Sequence, residues 1–166
     1  IRVLVVRGAG EKALAAGADI TEMQSMEAEA GMAFGAFGQK VFAKIEALRQ
    51  PSIAMIPGFA LGGGCELALA CDIRIASEKA RFGQPEVGLG ITAGFGGTQR
   101  LPRLVGRGAA SLLLFSGNMI DAAEALRIGL VDKIVPHDAL AAEVSALAEG
   151  IARQARCAVQ QTKRCI

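Results

Sequence analysis

Two glutamates and two clusters of small residues are the parts of this chain that can do chemistry. Glu66 stands in Ala60-Leu61-Gly62-Gly63-Gly64-Cys65-Glu66-Leu67, where three glycines separate the apolar run Ser52–Ile56 from a second run, Leu67–Cys71. Glu86 stands in Phe82-Gly83-Gln84-Pro85-Glu86. Glycine leaves the backbone bare and permits a sharp turn. A helix that begins at such a turn presents unpaired N–H groups and partial positive charge, where a developing anion can settle. A turn alone asks for one or two glycines, not three. The plain reading is a tight strand-to-helix turn with Glu66 as a favourable first-turn acid. The sharper reading is an oxyanion site with a carboxylate beside it.

The second cluster is Ala13-Leu14-Ala15-Ala16-Gly17-Ala18-Asp19-Ile20, whose small side chains let a ligand lie against backbone. If the amides of Ala18 and Gly63 converge on one oxygen, they stabilise an enolate-like anion. Glu66 and Glu86 then supply acid and base. Two carboxylates in one pocket resist ionising together, so one keeps a proton at neutral pH. One can take a proton from water while the other delivers one to carbon, the pairing that adding water across a double bond requires.

The elements that must hold these residues follow from periodicity. Ile1–Arg7 reads as a strand with an apolar centre, and Ser52–Ile56 as a buried strand. Apolar positions Phe34, Phe37, Val41, Ile45 and Leu48 predict an amphipathic helix over about 32–49, ended by Pro51, with its aromatic stripe in the core. Its glycines at 31, 35 and 38 weaken its start. Asp72–Ala76 alternates as a strand with one exposed face. Residues 80–90 read as loop, with Pro85 denying Glu86 a regular helix or central strand. Gly94–Leu101 is a second glycine-rich lead into a helix, and a further helix runs from Arg107 to Phe115. Asp121–Glu124 is a capping box for a short helix that stops at Gly129. Leu130–Val135 is a last strand, Asp138 caps a helix to about Gln154, and Ala155–Ile166 suits one more. Alternating strands and helices with short connections predict α/β with a mainly parallel sheet, either open or a coil of ββα units.

Composition excludes several classes. With 166 residues and 52% hydrophobic content, the chain suits one folded domain. A net charge of +2 without a basic stripe, and seven Phe with no Trp or Tyr, speak against nucleic acid. No run is long enough for a membrane span. Four cysteines without a C-x-x-C pair, and a single histidine, predict free thiols and no metal site. The glycine stretches complete neither a P-loop nor a dinucleotide fingerprint, and no G-x-S-x-G occurs. His137 reads as a surface residue, and Cys65, lacking a histidine partner, as no nucleophile.

At these residues the sequence resembles the crotonase (enoyl-CoA hydratase/isomerase) family. Ala15–Ile20 resembles that family's first oxyanion and CoA-contact motif. Ala60–Leu67 resembles its second oxyanion segment with the first glutamate. Phe82–Glu86 carries the second glutamate, and Gly94–Leu101 matches the start of the following helix. The resemblance implies a crotonase-like (ClpP/crotonase) fold of repeated ββα units, one domain over 1–166, truncated at both ends. The first strand, with part of the CoA site, and the C-terminal helices that close the pocket and build trimers are the parts expected to be missing.

The resemblance also implies reversible hydration of a trans-2-enoyl-CoA to a 3-hydroxyacyl-CoA. Ala18 and Gly63 would form the oxyanion hole. Glu66 would activate water, Glu86 would protonate the alpha carbon, and Gly94 would position the water. Ala16, Asp19, Ile20 and Thr21 would border CoA. No metal or cofactor is implied, since CoA belongs to the substrate. In full length a homotrimer or homohexamer is expected, in the cytoplasm or alternatively the mitochondrial matrix. Isomerisation, thioester hydrolysis, or a non-catalytic acyl-CoA- or RNA-binding role are the rivals. Two departures stand out: Ala93 where relatives have proline before the residue matching Gly94, and Thr21 where some place a lysine.

Overall fold

The computed structural model describes residues 1–166. Its strands form two four-stranded sheets. The first has the order β1 (Leu4–Val6), β3 (Ser52–Ile56), β5 (Ile73–Ser77), β8 (Lys133–Val135), all parallel. The second has the order β2 (Ala13–Ala15), β4 (Phe59–Leu61), β6 (Arg81–Gly83), β7 (Ile120–Asp121), and only its β6–β7 pair is antiparallel. The first three units each give one strand to each sheet and then a helix, whereas in the last a helix separates β7 from β8. This is the coil of ββα units that periodicity left open against a single open sheet.

The helices are α1 (Ile20–Met23), α2 (Ala28–Glu46), α3 (Gly63–Leu69), α4 (Gly97–Ser116), α5 (Ala122–Arg127), α6 (Leu140–Ala152) and α7 (Arg156–Cys165). Strand β3 explains why the sheets need cover on both faces. Ala54 and Ile56 enter the main core with α3, α4 and α5, while Ile53 and Met55 enter a second core against Leu140 and Val144 of α6. All five β3 residues are buried. The α6 face predicted from Leu140, Val144, Leu147 and Ile151 is the face that packs there.

Several expectations need correction. Strand β5 has no exposed face: Arg74 is buried and donates to the carbonyls of Leu130 (3.0 Å) and Cys71 (2.7 Å) and to Asp132 (2.9 Å). A buried guanidinium thus mimics the polar half of a solvent-facing alternation. Residues 13–15, 59–61 and 81–83 are strands too short to show a period. Helix α2 starts at Ala28, upstream of its glycines, and ends at Glu46. Its aromatic stripe is not core: Phe37 is exposed, and Phe34 and Phe42 are half-buried against Phe95. Asp138 lies in a 3-10 turn, His137–Ala139, and α6 has no side-chain cap.

The two helices expected on either side of residue 106 form one span, α4, broken at Gly106 (φ 79°, ψ 158°). Asp121 does cap α5, accepting from the Glu124 amide at 2.8 Å, but Glu124 turns to Arg127 instead of closing the box. Helix α7 forms as expected. No helix is long and apolar enough to cross a membrane.

Candidate active site

The three glycines of Gly62–Gly64 serve three separate purposes. Gly62 stands at φ 52°, ψ −125°, a backbone that L side chains rarely adopt. A Cβ on Gly64 would sit 2.0 Å from the Ala15 carbonyl oxygen, so α3 can press on β2 only with a bare backbone there. A Cβ on Gly63 would lie 3.7 Å from the Ala18 nitrogen and 3.2 Å from the Phe95 ring. The two small-residue clusters, 45 positions apart along the chain, therefore meet side by side at the start of α3.

They meet at the wall of a largely apolar cavity of about 390 Å³. Ala16, Ala18, Ile20, Gly63, Glu66, Glu86 and Gly94 all line it. The larger apolar side chains of Met23, Phe34, Leu89, Ile91 and Phe95 also line it. Asp19 and Thr21 do not line the cavity. They are exposed at its rim and bond to each other: Asp19 Oδ1 accepts from the Thr21 amide (2.9 Å) and hydroxyl (2.6 Å), capping α1. Those bonds hold the Asp19 carboxyl below its ordinary range.

Glu66 is 1% exposed, and its Oε1 accepts from the amides of Phe95 (2.9 Å) and Gly97 (2.7 Å). Burial pushes its pKa up, as does the nearby Glu86, while the two amides and Arg100 pull it down, leaving it raised. Glu86 sits in the 3-10 turn Pro85–Leu89, with Pro85 at its first position, and burial raises its pKa as well. Its Oε1 is 3.0 Å from where a Cβ on Gly62 would stand. Gln84, 1% exposed, reaches Glu86 Oε1 and Oε2 at 2.9 and 3.1 Å when its amide nitrogen faces the carboxylate.

The two donor sets differ in kind. Backbone N–H groups only donate and favour a charged Glu66. An amide side chain can turn over and accept, so Gln84 can serve either state of Glu86. The arrangement provides two carboxyl groups of elevated pKa and two neighbouring backbone amides around one apolar space. Cys65 is buried, with its thiol pushed up to about 12, and has no nucleophilic character. No group of three or more His, Cys, Asp and Glu side chains is placed to hold a metal.

Sequence reasoning missed Phe95, Gly97, Gln84 and Arg100. Backbone donors carry no side-chain signature. The one available signal was Gly97, where a Cβ would stand 2.9 Å from Glu66 Oε1.

Residues 1–166 match the family described as enoyl-CoA hydratase/isomerase. The chain is 55% identical to a crotonyl-CoA hydratase of Syntrophomonas wolfei, over 98% of this chain and 63% of the relative. It is also 55% identical to a short-chain-enoyl-CoA hydratase of Clostridium acetobutylicum, over 100% of this chain and 64% of the relative. The crystal structure of an enoyl-CoA hydratase from Bacillus anthracis superposes with a TM-score of 0.93 at 46% identity, covering 98% of this chain and 63% of that one. The chain thus spans just under two thirds of the length of these relatives. With the whole chain matched and the fold shared, it belongs to the enoyl-CoA hydratase/isomerase family, and its fold is that of the crotonases.

Proposed function

We propose that the protein containing this chain adds water reversibly to a trans-2-enoyl-CoA, giving a 3-hydroxyacyl-CoA. The observation that carries this reading is the placement of Glu66, Glu86, Ala18 and Gly63 around one apolar cavity. The amides of Ala18 and Gly63 polarise the thioester carbonyl and hold the enolate oxygen. Each such donor is typically worth about 10²–10³ in rate. Glu66, ionised and held by Phe95 and Gly97, takes a proton from water as its oxygen attacks C3. Glu86, protonated, delivers a proton to C2. Gly94, on the cavity wall, helps position the water.

Ala16 and Ile20 border the thioester end of CoA inside the cavity, and Asp19 and Thr21 meet it at the rim. Apart from the CoA carried by the substrate, the reaction needs no cofactor. We also propose that 1–166 form one crotonase-like domain and that the whole protein containing it assembles as trimers or hexamers. Leu112 (74% exposed) and Phe115 (79% exposed) on α4 are apolar surface available for self-association. The bacterial relatives favour action in the cytoplasm.

The test is turnover of crotonyl-CoA by the whole protein and by Glu66→Gln and Glu86→Gln. Loss of turnover in both, seen mainly in kcat, is expected. Turnover at the unsubstituted rate in either variant removes that residue from the mechanism.

A further inference from the structure

The segment Gly94–Gly97 supplies both amides that hold Glu66, and it is itself held from outside the cavity. Arg100 donates from Nη1 to the Phe95 carbonyl at 2.8 Å and from Nη2 to Glu46 Oε2 on α2 at 2.5 Å. Its side chain is 15% exposed, and its Nε is buried with no hydrogen-bond partner. A cation so placed loses hydration that two partners only partly replace. The backbone makes room for it: Gly96 has φ 106°, and a Cβ there would stand 2.2 Å from Nη1. The neighbourhood of Glu66 is thus built around a guanidinium that neither lines the cavity nor hydrogen-bonds the Glu66 carboxylate.

We propose that Arg100 is a positioning residue for Glu66. Clamped between Glu46 on α2 and the Phe95 carbonyl, its guanidinium fixes the turn whose amides grip Oε1, and its charge acts on that carboxylate. The role of Glu66 as base rests on the hydratase reading; the clamp itself does not. The ionisable groups facing Glu66 are Glu86 from the Pro85–Leu89 turn, Arg100 from α4 and the neutral Cys65 thiol on α3. Glu86 opposes ionisation of Glu66 and Arg100 favours it. Without Arg100 only the Phe95 and Gly97 amides oppose burial and that repulsion, and Glu66 takes up its proton at higher pH. Lysine keeps the charge but cannot hold both partners in one planar fork.

The test uses the whole protein, its Arg100→Gln and Arg100→Lys variants, and two readouts. One is the titration of the Glu66 carboxyl by infrared difference spectroscopy, assigned with Glu66→Gln. The other is kcat/KM for crotonyl-CoA against pH. In Arg100→Gln, Glu66 should titrate at higher pH, the acid limb of kcat/KM should move up with it, and kcat should fall by about 10–100-fold from misplacement. In Arg100→Lys the titration should stay near that of the unsubstituted protein while kcat falls about 10-fold. An unmoved Glu66 titration in folded Arg100→Gln overturns the proposal, whether or not crotonyl-CoA is consumed. If Arg100→Gln does not fold, unchanged kcat/KM in Arg100→Lys overturns it instead. A protein that leaves crotonyl-CoA untouched refutes the hydratase reading, and the titration still decides the role of Arg100.

Discussion

The amide of Gly97 donates to Glu66 Oε1 at 2.7 Å, and a Cβ on Gly97 would stand only 2.9 Å from that same oxygen. Glycine at 97 is therefore a condition for where the carboxylate sits. Gly97→Ala should push Glu66 aside and lower kcat on crotonyl-CoA by about 10²-fold, the usual consequence of a misplaced catalytic group. Steady-state kinetics at fixed pH check this. Unchanged kcat would mean that the carboxylate has more room than the structure gives it.

Gly64 is tight for a different reason. Its added Cβ would meet backbone, the Ala15 carbonyl at 2.0 Å, and backbone cannot swing away as a side chain can. Gly64→Ala should lower stability by about 1–3 kcal/mol through overpacking of α3 on β2. Urea unfolding measures it, and an unmoved midpoint would contradict the packing.

The buried Arg74 predicts a larger loss. It joins the carbonyls of Cys71 and Leu130 to Asp132, which is bonded also to the Arg74 amide. Arg74→Met removes the charge and leaves the Cys71 and Leu130 carbonyls without this donor, while the exposed Asp132 turns to water. Leaving a buried acceptor unsatisfied typically costs about 1–3 kcal/mol, and two carbonyls lose their donor here. Thermal unfolding checks it; a loss within 0.5 kcal/mol, typical of an ordinary surface change, would show Arg74 to be dispensable.

Glu86 predicts a dependence of stability on pH. Burial raises its pKa in the folded protein. As pH rises past the ordinary carboxylate value, about 4.3, the unfolded chain releases this proton first and the folded protein still holds it. Stability from this group is therefore present in acid and lost as pH climbs to the raised value. Glu86→Gln removes that loss. The variant should be more stable than the unsubstituted protein at neutral pH, by about 0.5–2 kcal/mol, and should lose the advantage in acid. Unfolding curves at both pH values test the sign. Equal gain at both would point to packing, and a deficit at neutral pH would contradict the burial argument.

Much of this was legible in the residues. Ser52–Ile56 is a strand to the residue, because five apolar or small side chains in a row need cover on both faces. Asp121 declared the start of α5, as capping chemistry allows. The Gly62–Glu66 and Ala15–Ile20 stretches do come together at one cavity. What stayed hidden has physical reasons. Strands of three residues show no alternation. Arg74 looks solvent-facing until its carbonyl partners are known. The stripe of Phe34, Phe37 and Phe42 has helical spacing, yet α2 turns part of it toward the cavity and leaves Phe37 outside. Phe95 and Gly97 act through main-chain amides, and Arg100 acts through Phe95 and Glu46, neither of which names Glu66 in the sequence.

The most direct measurement is the mass of the product formed from crotonyl-CoA by the whole protein in ¹⁸O-labelled water. The account predicts a CoA thioester that has gained one labelled water, with the label at C3, and no such product from Glu66→Gln or Glu86→Gln. A product of unchanged mass, or free acid and CoA, would contradict it.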